Sequence, residues 1–121
     1  MAEDQKEIAE KAYEAVEVAR ATGKIRKGAN ECTKAIERNK AKLVVYAGNT
    51  SPKEIVMHLP ILAKEKGVLC VEVPNKEELG AAAGIPVGCA AVAIVDEGEA
   101  SSTIKFIRES LAEKGSEEKK K

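Results

Sequence analysis

The sequence predicts an α/β fold, with three layers in the order α/β/α around a small mixed, largely parallel sheet. Two observations lead to this prediction. Apolar runs rich in β-branched residues, typical of buried strands, occur at residues 43–47 (LVVYA), 68–73 and 90–95. Segments with apolar residues at helical spacing lie between them, and strands that alternate with helices form layered domains with mostly parallel strands.

The first third of the chain predicts two helices and a short extended piece. A helix is expected over Lys6–Thr22, followed by an extended segment at Ile25–Lys27. Gly28 then interrupts the chain before a second helix at Asn30–Arg38, with Asn39 as a left-handed residue at its end. The helical spacing of the first segment rests on Ile8, Ala12, Ala15, Val16 and Ala19.

The sequence SPKE has the composition of a helix start. Ser51 is expected to cap the helix, Pro52 fits its first turn, and Glu54 can return a hydrogen bond to the cap. The helix should run to about Lys66 and bend at Pro60, which removes one internal hydrogen bond.

Two more helices complete the prediction. Asn75 starts one that ends at Gly84, and the last spans Ser102–Glu113. No internal repeat or linker divides the chain, so residues 1–114 are predicted to form one domain. Residues 115–121 (GSEEKKK) carry no apolar anchor and are predicted to be a mobile charged tail.

Composition argues against several classes of protein. Cys32, Cys70 and Cys89 are far apart and include no C-x-x-C pair, which predicts neither a disulfide framework nor a zinc site. His58 is the only histidine, so it is expected to be packed and hydrogen-bonded rather than a metal ligand. The acidic start lacks the apolar core of a secretion signal, and no stretch is apolar enough to span a membrane. We expect a soluble, cytoplasmic chain with no metal or cofactor.

Charge is distributed unevenly along a chain whose formal net charge is zero. Between Arg20 and Lys42 there are eight cations and two carboxylates, a local charge of +6 that the remainder balances with −6. Such a basic zone is typical of a surface that contacts an anionic partner. A solubilising lysine-rich face would have the same composition, and charge alone leaves both interpretations open.

The stretch RKGANECTK, at the predicted start of the second helix, contains the most specific combination of groups. Asn30 and Glu31 fall in the first turn, and Lys34 and Arg38 lie on adjoining turns of one face. Amide and carboxylate groups can read base edges, while lysine and arginine hold phosphates. The alternative is that Asn30 caps the helix and Glu31 only complements the helix dipole. The residues themselves leave this choice open.

Catalytic patterns are weak. Cys32 lies in a basic neighbourhood at a helix start, which could lower its pKa, but no histidine is near it in sequence and a small buried residue is favoured. The turn Gly48–Ser51 (GNTS) could cradle phosphate with backbone N–H groups. It lacks the glycine spacing and lysine of a P-loop, however, and Gly84–Gly88 (GIPVG) is too short and apolar to hold a dinucleotide.

Longer segments resemble a known family. RKGANECTKAIER, LVVYA, EIVMHLPILAKEKG, VPNKEELGAAAGIPV and AAVAIVDEG occur in order between about Tyr13 and Gly98. Together they resemble the L7Ae family of ribosomal proteins in its archaeal form, whose fold is an α/β/α sandwich. Members of this family bind the kink-turn, an RNA helix–bulge–helix that bends sharply at tandem sheared G·A pairs. The resemblance therefore implies a non-enzymatic RNA-binding protein.

The resemblance also implies site residues by position. Asn30 and Glu31 match the pair that reads the guanines of the G·A pairs, and Gly28 matches a glycine that permits close backbone approach. The cations that match phosphate contacts are Arg26, Lys27, Lys34, Arg38 and Lys76. The apolar residues that match the surroundings of the base flipped out of the bulge are Ile55, Ile85, Pro86 and Val87.

The partners that the resemblance implies are kink-turns in ribosomal RNA and in box C/D and box H/ACA guide RNAs. The protein would nucleate these ribonucleoproteins, with guide-RNP core proteins docking on the RNA–protein composite, and would be a monomer when free. Two alternatives stay open at this point. One is a purely ribosomal paralogue that reads another RNA internal loop, and the other is a small phosphate- or nucleotide-binding enzyme that uses the Gly48–Ser51 turn.

Overall fold

Helices cover both faces of a four-stranded sheet. The computed structural model describes residues 2–119, with side chains described for residues 7–111. Within this range the helices are α1 (Ala2–Thr22), α2 (Ala29–Glu37), α3 (Glu54–Lys66), α4 (Lys76–Ala82) and α5 (Ser101–Lys119), and one 3-10 turn (Gly98–Ala100) precedes α5. The strands are β1 (Lys24–Lys27), β2 (Leu43–Ala47), β3 (Leu69–Val73) and β4 (Ala91–Asp96).

The sheet is mixed, in the order β1-β4-β2-β3. Strand β2 pairs in parallel with β3, whereas β4 is antiparallel to both of its neighbours, β1 and β2. The predicted largely parallel sheet is therefore confirmed for strand directions, since β1, β2 and β3 point the same way. The prediction is wrong for the pairings between strands, because β4 lies inside the sheet and pairs antiparallel with both β1 and β2, which leaves only β2 and β3 as a parallel pair.

The reversal of β4 follows from where the chain re-enters the sheet. Helix α4 has seven residues and is about 10 Å long, so it carries the chain only a short way back from the end of β3. The chain then enters the sheet at the edge where β2 ends: Ala91, the first residue of β4, pairs with Tyr46. A strand that starts at this edge can only run opposite to β2.

Two hydrophobic cores lie on the two faces of the sheet. Successive strand residues point to opposite faces, so Val45 and Val92 pack against α1, α4 and α5 while Val44 and Ala93 pack against α2 and α3. All four are fully buried, which explains why the strand segments are apolar without alternation. The predicted three-layer arrangement is confirmed.

Local signals in the second half of the chain are mostly confirmed. Asn75 caps α4 as predicted, with its Oδ1 accepting from the backbone N–H groups of Glu77 at 2.8 Å and Glu78 at 3.2 Å. Gly84, with φ 81°, follows α4 closely. In the first half, Asn39 has the expected left-handed conformation, with φ 57°.

The start of α3 differs from its prediction. Helix α3 begins at Glu54, and Ser51 does not cap it; the residue that precedes the helix, Lys53, is itself helical and makes no side-chain cap hydrogen bond. Residues before the helix form a turn in which Ile55 N–H donates to the Pro52 carbonyl at 3.2 Å. Because the turn already occupies the first N–H groups, no side-chain cap is required. The helix continues through Pro60 to Lys66, as predicted.

The terminal helices are longer than their predicted spans. Helix α1 begins at Ala2, and α5 continues to Lys119, so α5 includes the first part of the segment 115–121 that was predicted to be a tail. Residues 120–121 lie outside the described residues, and the division into a domain and a mobile tail stays a prediction. No helix in the described part of the chain has the length and apolarity that a membrane crossing requires.

Candidate nucleic-acid interface

One edge of the sheet collects most of the predicted site residues. Strands β1, β2 and β3 end at this edge and β4 begins there, so the starts of α2, α3 and α4 and residues 85–90 all lie beside it. Backbone hydrogen bonds hold the segments together: Gly28 N–H donates to the Ala91 carbonyl and Ala47 N–H to the Ala90 carbonyl, each at 2.8 Å. The carboxyl ends of strands are a common place for ligand sites in open α/β sheets.

Gly28 forms the entrance to α2. Its φ of 103° and ψ of 150° lie in a region that side chains disfavour, which explains the glycine. Its carbonyl accepts the first helical hydrogen bond, from Cys32 N–H at 3.0 Å. No described atom lies within 4 Å of the position that a Cβ would occupy, so the backbone is open to close approach from outside.

Asn30 and Glu31 are exposed in the first turn of α2. The residue that precedes the helix is Gly28, so the alternative in which Asn30 caps α2 is wrong. Among the described residues, the Asn30 side chain has no hydrogen-bond partner. Glu31 has one weak contact, 3.6 Å from its Oε2 to Lys34 Nζ, with both side chains about half exposed (48% and 55%). Both side chains are therefore available to contact a partner without breaking a strong contact within the fold.

Four of the predicted cations are exposed but do not form one cluster: Arg26, Lys27, Lys34 and Arg38. Lys34 lies beside Glu31, one turn into α2. Arg26 and Lys27 are neighbours in the edge strand β1 and therefore lie on opposite faces of the sheet, with Arg26 on the face covered by α2. Arg38 follows the last residue of α2, about 13 Å along the helix from its start. The cations thus form a band around α2 and β1.

Lys76 opens α4 and is fixed from two sides. Its backbone N–H donates to Asn49 Oδ1 at 2.9 Å, and its carbonyl accepts from Cys89 N–H at 3.0 Å. Asn49, which joins the β2–α3 turn to α4, was not among the predicted site residues. Asn49 lies two residues after the end of β2. Its contact with α4 could be predicted only if β3, the strand that leads into α4, were known to be the neighbour of β2.

The apolar segment before β4 has one anchored and two exposed residues. Ile85 is half-buried against the core, and its N–H donates to the Gly80 carbonyl at 3.0 Å. Pro86 is exposed, and Val87 is 66% exposed. A Cβ on Gly80 would overlap the Val87 carbonyl, so the segment lies directly on α4. Ile55, at the start of α3, is exposed at the same edge of the sheet.

His58 links α3 to α2. Its Nε2 is 2.8 Å from Thr33 Oγ1, which also donates to the Ala29 carbonyl at 2.9 Å. The predicted hydrogen-bonded role is confirmed, although the residue is exposed rather than packed in the core. Within the described part of the chain, no three His, Cys, Asp or Glu side chains come together to hold a metal ion.

The geometry disfavours the two catalytic alternatives. Cys32 is fully buried, and burial raises the pKa of its thiol, so the basic neighbourhood does not activate it. In the turn that could have cradled phosphate, Gly48 N–H donates to the Val73 carbonyl and Thr50 N–H to the Ala47 carbonyl. The Glu72 carboxylate also lies against Gly48, where it would repel an anion.

Comparison with known proteins agrees with this architecture. Residues 10–104 match the model of the Ribosomal protein L7Ae/L30e/S12e/Gadd45 family. Among solved structures, the chain is similar to the Giardia lamblia 15.5kD RNA binding protein, with 32% sequence identity, 84% of each chain covered and a TM-score of 0.79.

The exposure of Asn30 and Glu31 predicts that neither residue contributes to stability. Asn30→Ala and Glu31→Ala should each change the free energy of unfolding by less than about 0.5 kcal/mol, because the first removes a solvated amide and the second only a solvent-exposed contact with Lys34. Urea denaturation with matched m-values checks this. A loss of more than about 1 kcal/mol for Asn30→Ala would instead show that its side chain supports the helix start.

Proposed function

Because the chain belongs to the L7Ae/L30e/S12e/Gadd45 family of ribosomal proteins, we propose that it is a non-enzymatic RNA-binding protein that recognises and stabilises kink-turns. The observation that carries this proposal is the uncommitted pair Asn30 and Glu31 at the entrance of α2, beside an open glycine backbone and exposed cations. The similar structure from Giardia lamblia is that of an RNA binding protein, which supports RNA as the class of partner.

Asn30 and Glu31 read the guanine edges of the sheared G·A pairs in this proposal. A carboxylate accepts hydrogen bonds from guanine N–H groups, and the neighbouring amide can both donate and accept. Glu31 has to release only a solvent-exposed contact of 3.6 Å with Lys34, which costs little because exposed ion pairs contribute at most about 1 kcal/mol. The released Lys34 then becomes available to a phosphate.

The remaining contacts hold the backbone and the flipped base. Arg26, Lys27, Lys34, Arg38 and Lys76 neutralise phosphates, aided by the positive end of α2. The base that leaves the bulge packs on the exposed aliphatic surface of Pro86 and Val87, with Ile55 nearby at the same edge. Ile85 mainly fixes the segment to the core. Aliphatic side chains are sufficient here because a base that has left the stack can pack against any apolar surface and does not require an aromatic side chain.

The protein acts by population shift: it binds the bent RNA more tightly than the extended RNA and so keeps it bent. We further propose that its targets are kink-turns in ribosomal RNA and in box C/D and box H/ACA guide RNAs, as in an archaeal member of the family. The chain would then be cytoplasmic, monomeric when free, and a platform on which further core proteins assemble.

Glu31→Ala tests the base-reading role. We expect it to weaken binding to a kink-turn RNA by about 1–3 kcal/mol, because one hydrogen-bonding partner of a base edge is lost. The variant should lose little affinity for the same RNA with its G·A pairs replaced. Gel-shift titration measures both RNAs against wild type.

Glu37→Ala is the matched control for Glu31→Ala, since it removes an exposed carboxylate from the other end of α2. It should leave discrimination between the two RNAs unchanged. Equal affinity of the wild-type protein for both RNAs would exclude kink-turn recognition altogether and favour a reader of another internal loop.

Lys34→Ala tests phosphate contact. The variant should bind the kink-turn RNA and the G·A-replaced RNA more weakly by similar factors, and the slope of log K against log salt should fall by about one unit. Lys64→Ala serves as control and should keep the wild-type slope, because Lys64 is an exposed lysine in the last turn of α3, away from the edge where α3 begins. An unchanged slope for Lys34→Ala would mean that Lys34 stays solvated in the complex.

Val87→Ser tests the surface for the flipped base. Replacing an exposed valine by serine should cost about 1 kcal/mol, or about fivefold in Kd, because apolar contact with the base is lost. The loss should vanish with an RNA that is abasic at that bulge position. Ile61→Ser provides a control, since Ile61 is similarly exposed (64%, against 66% for Val87) but lies further along α3. A loss that persists with the abasic RNA would contradict the role.

A further inference from the structure

A groove that takes no part in the proposed RNA surface runs along the outer side of β3. Its volume is about 880 Å³, within the range of sites that bind ligands of moderate size. Helices α1, α4 and α5 contribute to its walls, and its floor is apolar, with Ile8, Val71, Val73 and Leu111. The first three of these residues are buried, so the floor continues the hydrophobic core to the surface.

The groove lies beside an edge strand of the sheet. β3 is the last strand of the sheet and pairs only with β2 among the described residues. Every second residue of such an edge strand directs its backbone N–H and C=O away from the sheet, where they can pair with another extended chain. The five residues of β3 provide an edge about 17 Å long.

The rim of the groove is acidic. Four exposed carboxylates line it, and none of the described lining residues is a lysine or an arginine. They come from both sides of the groove, two from α1, one from β3 and one from α4: Glu10, Glu17, Glu72 and Glu78. This is the opposite of the band of cations around α2 and β1.

We propose that this groove binds an extended, basic segment of a partner protein, which adds to the sheet as a strand beside β3. In an extended segment beside β3 the side chains alternate between the two faces of the sheet, so aliphatic residues can face the apolar floor while the lysine or arginine residues between them lie on the face where Glu72 contacts Tyr46. The carboxylates of α1 and α4 at the rim attract the positively charged segment without pairing with particular residues. Main-chain hydrogen bonds to β3 supply part of the affinity, and the alternating side chains supply the specificity.

Charge selects this occupant over the others. RNA is excluded by the four carboxylates, which would face its phosphates without any cation among the described lining residues. A second copy of this chain is also disfavoured, because pairing β3 with its own copy would bring two sets of like charges together. The proposal does not depend on RNA binding, and its test contains no RNA.

The test uses fluorescein-labelled octapeptides with the full-length protein. The probe KVKVKVKV has basic and aliphatic residues in strict alternation, KKKKVVVV has the same composition in blocks, and EVEVEVEV has the opposite charge. Fluorescence anisotropy should show binding of the alternating basic peptide, with at least tenfold weaker binding of the other two. In ¹⁵N-correlated NMR spectra, the largest shift changes should fall within Leu69–Val73.

Charge-reversal variants complete the test. Glu72→Lys on the strand and Glu17→Lys on α1 should each weaken binding of the alternating peptide at least fivefold, whereas Glu65→Lys, an exposed site on α3 outside the groove, should change it less than twofold. Two charge-reversal sites on different elements keep the test valid if one variant fails to fold. Absence of binding, equal binding of the block peptide, or shift changes confined to other strands would overturn the proposal.

Discussion

The placement of β4 between β1 and β2 is the constraint on which the candidate RNA surface depends. Because β4 runs opposite to its neighbours, its first residue lies at the edge where β1, β2 and β3 end. The hydrogen bond from Gly28 N–H to the Ala91 carbonyl then joins the entrance of α2 to the apolar segment that precedes β4. Groups that are almost sixty residues apart in sequence thereby share one edge, and a parallel β4 would have placed that segment at the opposite edge.

Local structure could be predicted from the sequence because its causes are local. The spacing of apolar residues and the capping signals located the three inner helices and the longer strands to within a few residues, whereas α1 and α5 extend beyond their predicted spans. Asn75 caps α4 by accepting hydrogen bonds from the backbone N–H groups of Glu77 and Glu78. The failed local prediction concerns a choice between competing solutions, since a backbone turn replaces the expected Ser51 cap at the start of α3. At the start of α2 the sequence left the cap open, and the residue in that position is Gly28 rather than Asn30. A sequence pattern identifies a helix start but does not determine which of several adjacent groups accepts hydrogen bonds from the N–H groups of its first turn.

Features that depend on strand order could not be predicted in the same way. Three features can be predicted only when the neighbouring strands are known. They are the pairing of β4, the contact between Asn49 and the backbone of Lys76, and the position of β3 at the edge of the sheet. Strand order is set by the total burial of both faces of the sheet, to which every helix contributes. The positions of the candidate site residues on their elements were predictable, whereas the common edge that assembles them emerges only from the complete fold.

Although the formal net charge is zero, the chain has two surfaces of opposite charge, the band of cations around α2 and β1 and the acidic groove beside β3. Glu31 is a carboxylate within the first of these surfaces. A carboxylate among cations weakens attraction to any phosphate that approaches, so it lowers affinity for RNA in general. It is compensated only where an RNA presents hydrogen-bond donors to it, as a guanine edge does. In the proposed function, the surrounding cations therefore provide affinity that is nearly independent of sequence, and Glu31 converts part of it into discrimination. At β3, by contrast, the described residues that line the groove include carboxylates but no lysine or arginine, so that surface repels RNA and differs in its chemistry from the proposed RNA surface.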